Sequence, residues 1–107
     1  MNDKQIQQLQ IIEQNLQSFL MQKQQVQQEI KEIESALNEL TKTETAYKII
    51  GNIMINTEKE DIVNELNTKK ELFLRKLEIL NDQESKIKKK AEELREEMIK
   101  SMEKKNE

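Results

Sequence analysis

The residues of this chain that could take part in chemistry are carboxylates, lysines and apolar side chains, because the sequence contains neither histidine nor cysteine. The chain therefore has no imidazole to shuttle protons near neutral pH, and no thiol to act as a nucleophile or to form a disulfide. The neighbouring carboxylates Glu92-Glu93 and Glu96-Glu97 have the spacing of a solvated helix surface rather than of a metal site. A single glycine cannot build a glycine-rich phosphate loop. We expect no catalytic residue, no metal and no cofactor, and predict that the chain is not an enzyme.

Apolar residues near both ends of the chain are the first candidates for a binding function. Partly open methionine and aliphatic side chains can repack against many apolar partners without sequence specificity. We expect them to hold unfolded polypeptide, with ordinary fraying of helix ends as the alternative interpretation. The residues of this predicted client-binding tip are Ile6, Leu9, Ile11, Leu94, Met98, Ile99 and Met102.

A first heptad seam would position the N-terminal half of that tip. Its members alternate spacings of three and four residues, which is typical of a coiled coil, and only one of them is polar. They are Leu9, Ile12, Leu16, Phe19, Lys23, Val26, Ile30, Ile33, Leu37 and Leu40. We interpret the seam as structural, since its function is to join one helix to another.

A second heptad seam lies in the C-terminal half and would position the remaining tip residues. It contains three polar exceptions, at Lys70, Glu84 and Ser101, and a charged outer face. Paired antiparallel with the first seam, it brings Lys23 diagonally close to Glu84, and such a pair would specify the register. Its members are Val63, Leu66, Lys70, Phe73, Leu77, Leu80, Glu84, Ile87, Ala91, Leu94, Met98 and Ser101.

The segment between the seams predicts a β-hairpin. Two apolar runs rich in β-branched residues flank Gly51-Asn52, and glycine at the first central position suits a type II′ turn. This turn would place Ile50 opposite Ile53 and Ile49 opposite Met54. A lone two-stranded ribbon is barely stable in water, so we expect several hairpins to join edge to edge into a sheet or barrel. The predicted assembly residues are Tyr47, Ile49, Ile50, Gly51, Asn52, Ile53, Met54 and Ile55.

These patterns predict a single domain over residues 1–107 that is mainly α-helical. Two long helices, over 1–43 and 58–105, form an antiparallel coiled coil, and the hairpin over 44–57 joins an oligomeric sheet or barrel. Asn56 or Thr57 is the predicted cap of the second helix, because acidic residues follow in its first turn.

Charge and hydropathy limit the cellular location of the protein and the kinds of partner that it can bind. Lysine and arginine number 18 against 21 acidic residues, a net charge of -3 with the two signs interspersed. Such a distribution gives no field to attract nucleic acid or anionic lipid. The chain also lacks the apolar stretch of a membrane span or signal peptide. We predict a cytoplasmic protein that binds neither nucleic acid nor membrane.

The order of long helix, hairpin and long helix resembles the beta-type subunits of prefoldin, in particular the archaeal ones. The most specific part of the resemblance is the run from Ala46 to Ile55, AYKIIGNIMI, followed by Lys59-Glu60-Asp61 at the start of the second helix. A single hairpin also fits the beta class better than the alpha class. The resemblance covers essentially the whole chain.

This resemblance implies a function and a set of partners. Prefoldins are ATP-independent holdases, and the archaeal form is a hexamer of two alpha-type and four beta-type subunits whose hairpins build a double β-barrel. The tips of its coiled-coil arms bind non-native proteins and deliver them to a group II chaperonin. An alpha-type subunit, unfolded clients and the chaperonin are therefore the expected partners.

One alternative belongs to a different class of protein. In it the chain is a structural coiled-coil tether or adaptor that binds one specific partner helix, and the hairpin is an incidental linker. A holdase would suppress the aggregation of several unrelated denatured proteins, whereas a tether would not.

Overall fold

A computed structural model describes residues 3–105 and contains four elements. Helix α1 spans Asp3–Leu40, strands β1 and β2 span Ala46–Ile50 and Ile53–Thr57, and helix α2 spans Lys59–Lys105. The prediction of two long helices flanking one central hairpin is confirmed.

Helix α1 ends at Leu40, three residues before the predicted boundary. The backbone N–H of Thr41 donates to the carbonyl of Asn38 at 3.2 Å, and the Thr41 hydroxyl donates to the same oxygen at 2.6 Å. The Lys42 N–H likewise reaches the Glu39 carbonyl, three residues back, at 3.0 Å. Hydrogen bonds to the third preceding residue tighten and close the last turn of a helix, so the chain leaves the helix at this point.

The start of helix α2 corrects the predicted cap. Asn56 and Thr57 both belong to strand β2, and the Thr57 hydroxyl donates to the carbonyl of Ile55 rather than to the helix. The Glu58 carbonyl instead accepts the first bonds of the helix, from the N–H groups of Asp61 at 3.1 Å and Ile62 at 3.3 Å. The prediction of Asn56 or Thr57 as the cap was wrong, because both residues pair with β1 and the first helical hydrogen bonds go to the Glu58 carbonyl.

The chain forms two compact units, and each contains a segment of both helices. In the first unit, residues 3–24 and 78–105 are described. The second unit is Gln25–Leu77 and includes the hairpin. Within each unit the α1 and α2 segments pack antiparallel, as the predicted coiled coil requires.

The two predicted seams provide the packed side of the helices. Members of the first seam are all buried or half-buried, and so are those of the second from Val63 to Met98. Ser101, the last predicted member, is exposed. The helix residues removed most completely from solvent are Val26, Ile30, Ile33, Leu80 and Ala91. Apolar burial along these seams is therefore what holds the helices together.

The predicted ion pair within the first unit is confirmed. Lys23 Nζ lies 3.3 Å from Glu84 Oε1, and the two side chains are only 20% and 15% exposed. Lys88 Nζ approaches the same oxygen at 3.3 Å from one turn further along α2. A partly shielded charge that lost its partner would be costly, so this pair disfavours other alignments of the two helices.

The pairing with lysine lowers the pKa of Glu84. Partial burial acts to raise this pKa, but hydrogen bonds from Lys23 and Lys88 outweigh that effect and hold it below the usual range of a glutamate. The unfolded chain therefore binds a proton at higher pH than the folded chain does. The stabilisation is complete above the unfolded pKa and disappears as the pH falls through the lowered, folded value.

Replacing Glu84 by glutamine is therefore expected to cost stability at neutral pH and to cost progressively less below about pH 4. The measurement is the thermal midpoint of the helical circular dichroism signal as a function of pH. The matched control is Glu78→Gln, on the exposed side of the same helix. A constant difference between Glu84→Gln and the parent chain across that pH range would contradict the assignment.

The hairpin has the predicted register. Ile50 pairs with Ile53 and Ile49 with Met54, and the ladder continues to Ala46 opposite Thr57. Gly51 has a φ of 60°, while no non-glycine residue described has a positive φ. Positive φ at the first central position alone distinguishes a type II′ turn from type I′, as predicted for Gly51-Asn52. A side chain at position 51 would be strained for this reason, although the space around it is open.

Candidate functional site

The hairpin leaves almost all of its apolar side chains uncovered. Only Ala46, at the base of β1, is buried. Large apolar side chains grouped on one surface mark a site of interaction rather than ordinary surface composition. The exposed members are Tyr47, Ile49, Ile50, Ile53, Met54 and Ile55. The structure thus brings the predicted assembly residues together on one element.

The backbone of the hairpin is also incomplete by itself. Strands β1 and β2 form a sheet of two strands, so each strand has one edge that no other strand in the described chain pairs. Unpaired edges readily accept further strands, and natural proteins cover or pair them. The hairpin therefore offers two kinds of contact to a partner, backbone hydrogen bonds at the edges and apolar surface on the faces.

An ion pair connects the hairpin to helix α2. Lys48 Nζ donates to both carboxylate oxygens of Glu65, at 3.1 and 3.0 Å. Lys69, one turn further along α2, lies 3.8 Å from the same carboxylate. The hydrogen bond and charge of Lys48 are the main causes that lower the pKa of Glu65 below its usual range, and Lys69 adds to the effect. This contact was not predicted from sequence.

Part of the predicted client-binding tip lines a groove in the first unit. We call it the terminal groove, and its lining includes Ile11 and Leu94 from the predicted tip. Ile12, which the seam pattern assigned to helix packing alone, also lines it. The full lining is Gln8, Ile11, Ile12, Lys90, Glu93, Leu94 and Glu97. A groove lined by apolar residues and bordered by charged ones can hold apolar side chains of a partner while its charged border stays hydrated.

The other predicted tip residues differ in accessibility. Ile6, Leu9 and Met98 are half-buried and contribute to helix packing. Ile99 and Met102 are 56% and 47% exposed, and Ile11 in the terminal groove is 57% exposed. The side chains available to a partner are therefore Ile11, Ile99 and Met102, and their role in client binding stays a prediction.

Two other types of site are absent from residues 3–105. No group of three or more acidic side chains in this range could hold a metal ion. Neither α1 nor α2, as far as they are described, includes a stretch long and apolar enough to cross a membrane.

Comparison with known proteins identifies relatives that share this architecture. The family model described as prefoldin subunit matches residues 3–105. Prefoldin subunit beta of Pyrococcus furiosus is 41% identical over 90 residues, covering 81% of this chain and 77% of that protein. The Archaeoglobus fulgidus subunit beta is 39% identical over 83 residues, covering 75% of this chain and 72% of its own length.

A solved structure agrees with these sequence relatives. The crystal structure of the prefoldin beta subunit from Thermococcus strain KS-1 aligns with a TM-score of 0.87 at 32% identity, covering 92% of this chain and 90% of that one. The same order of helices and hairpin thus accompanies the sequence similarity. The chain belongs to the prefoldin subunit family, a family of molecular chaperones, and its matched relatives are beta subunits.

Proposed function

We propose that this chain is a beta-type subunit of a cytoplasmic prefoldin that captures non-native polypeptides without using ATP and delivers them to a group II chaperonin. Its assembly partner is an alpha-type prefoldin subunit, in a hexamer of two alpha-type and four beta-type chains. Membership of the prefoldin subunit family supports the chaperone role. The single glycine supports independence from nucleotide, because the chain has no glycine-rich loop to bind phosphate.

The observation that carries the proposal is the uncovered hairpin. Six large apolar side chains are exposed on an element of two short strands, and no strand within residues 3–105 pairs with either outer edge of the ribbon. A ribbon of this kind gains stability only when further strands and apolar faces complete it. Hairpins from several subunits satisfy both needs at once by closing into a β-barrel body.

Client binding rests on the exposed apolar side chains of the first unit. Ile11, Ile99 and Met102 offer aliphatic and thioether surface that no fixed partner covers within the described chain. Flexible apolar surfaces of this type adapt to many sequences at moderate affinity. The charged walls of the terminal groove, Lys90, Glu93 and Glu97, keep that surface hydrated between binding events.

The experiment that tests this function measures protection of unrelated proteins. The assembled complex is mixed with several chemically denatured proteins of different folds, and light scattering is followed after dilution of the denaturant. Suppression of aggregation at a near-stoichiometric ratio, without nucleotide, is the expected result for all of them. Suppression of none, combined with tight binding of one defined helix, would support the coiled-coil tether instead.

A further inference from the structure

The two faces of the hairpin carry different chemistry. Side chains alternate between the faces along each strand, and paired residues share a face. With the observed register, one face presents Tyr47, Ile49, Met54 and Asn56; we call it the outer face. The other, the helix-side face, presents Ala46, Lys48, Ile50, Ile53, Ile55 and Thr57.

The helix-side face is already partly occupied by the chain's own helix. Ala46 is buried at its base, Thr57 opposite is half-buried, and Lys48 in the middle is bonded to Glu65 of α2. Covering this face with a second sheet would remove that ion pair from water, which is costly for both charges. The apolar residues that remain open on it are Ile55, opposite Lys48, and Ile50 and Ile53, nearer the turn.

The outer face has no such obstacle. It carries no ionisable group other than the phenol of Tyr47, and all four of its side chains are exposed. Tyr47 and Asn56 lie opposite each other at its base, and Ile49 and Met54 lie opposite each other nearer the turn. Its apolar part can therefore be buried completely while the polar groups of Tyr47 and Asn56 stay at one end.

We propose that the outer face is the surface that this chain packs against the hairpin of another prefoldin subunit, and that Glu65 is the positioning residue that keeps this face turned outward by binding Lys48 on the opposite side. This inference rests on the proposed function. It adds which of the two hairpin faces is buried on assembly and which residue of α2 orients it.

A second hairpin is the occupant that fits both features of the site. Its strand pairs with the unpaired edge of β1 or β2, and strands joined at an edge continue the same two faces. When the joined hairpins curve and close into a barrel, the outer faces of all of them meet in its interior, and Ile49 and Met54 are covered there. A helix could cover the face but would leave the edge hydrogen bonds unmade.

Two substitutions of identical chemistry separate the faces. Ile49→Thr changes the outer face and Ile53→Thr the helix-side face, at positions that are 68% and 65% exposed on opposite sides of the same turn. Threonine keeps the β-branched shape that favours strands, so the hairpin itself is preserved. The readout is the dissociation midpoint of the complex with an alpha-type prefoldin subunit, followed by mass on dilution.

Ile49→Thr is expected to raise that midpoint about tenfold or more, since an isoleucine buried at the interface is lost, and Ile53→Thr to raise it less than about threefold. Equal losses, or a larger loss with Ile53→Thr, would overturn the assignment of the faces and leave hairpin assembly intact. If neither variant changes the midpoint, the hairpin is not the assembly element, and the assembly part of the proposed function fails as well.

The role of Glu65 is tested through its partner on β1. Lys48→Met removes the charge and is expected to raise the midpoint about threefold, as does Glu65→Gln, whereas Lys48→Arg keeps the pair and the parent value. The double variant Lys48→Met with Glu65→Gln should be no weaker than either single one, because both remove the same interaction. Glu71→Gln, exposed on the same helix, is the control and leaves the midpoint unchanged. Additive losses, or failure of arginine to maintain assembly, would remove Glu65 from this role.

Discussion

A chain carrying Ile49→Asp together with Met54→Asp, both on the outer face of the hairpin, is expected to keep its helices and to lose assembly. Each substitution removes a large apolar side chain from the hairpin and places a charge where the partner would bury it. Burial of an isoleucine or a methionine contributes roughly 1.5–3 kcal/mol, so loss of the two side chains weakens each contact by roughly a hundredfold or more. Analytical ultracentrifugation with the alpha-type subunit should detect only separated subunits, while circular dichroism reports the same helix content.

A matched control distinguishes the hairpin from apolar surface in general. Leu72 and Ile79 are exposed on helix α2 to a similar extent, and neither belongs to a predicted seam. Leu72→Asp with Ile79→Asp adds the same two charges and should leave the assembled mass unchanged. Assembly lost in this control, or retained in the hairpin variant, would contradict the role assigned to the hairpin.

Serine at Ile11 and Ile99 is expected to reduce aggregation suppression while the oligomer remains intact. These side chains are more than half exposed in the first unit, away from both seams, so their loss changes little within the folded chain. Each one that contacts a client loses apolar burial of about 1 kcal/mol or more, and several arms acting together multiply the effect. We expect about tenfold more complex to be needed for half-maximal protection in the light-scattering assay.

The control for this variant uses exposed apolar residues elsewhere on the same helices. Met21→Ser with Ile79→Ser alters one residue of α1 and one of α2 with comparable exposure. Protection by this control should equal that of the parent chain. An equal loss in both variants would indicate that clients bind along the helices generally, and full protection by the Ile11 and Ile99 variant would place the client site elsewhere.

The parts of the fold that depend on periodicity could be predicted from the sequence. The spacing of apolar residues predicts the two seams, and every seam member except Ser101 is buried or half-buried in the structure. The pairing of Lys23 with Glu84 followed because an antiparallel alignment brings these two polar seam residues diagonally close to each other. The turn followed from the one glycine, since the backbone there requires a positive φ.

Features of the fold that depend on competition between alternative local hydrogen bonds could not be predicted from the sequence. Thr41 could have continued helix α1, but its hydroxyl and its N–H both donate to the Asn38 carbonyl and help to close the last turn. Thr57 looked like a helix cap, but its strand pairing with Ala46 takes precedence. The Lys48 bond to Glu65 depends on the angle between the hairpin and α2, which no spacing in the sequence encodes.

The client-binding tip, too, could be predicted from the sequence only in part. Sequence position near the chain ends selected Ile11 and Leu94, which line one groove, and the exposed Ile99. It did not distinguish the exposed Ile11 and Ile99 from Leu9, Leu94 and Met98, which are half-buried. The degree of opening between two packed helices depends on side-chain packing, so it became visible only in the structure.

Measurement of the mass of the complex formed with an alpha-type prefoldin subunit tests the central claim most directly. The hairpin has unpaired edges and an uncovered outer face, so it should assemble the two kinds of chain. Native mass spectrometry should then detect a particle of two alpha-type and four beta-type subunits. A chain that stays monomeric and fully helical in the presence of that subunit would contradict the account.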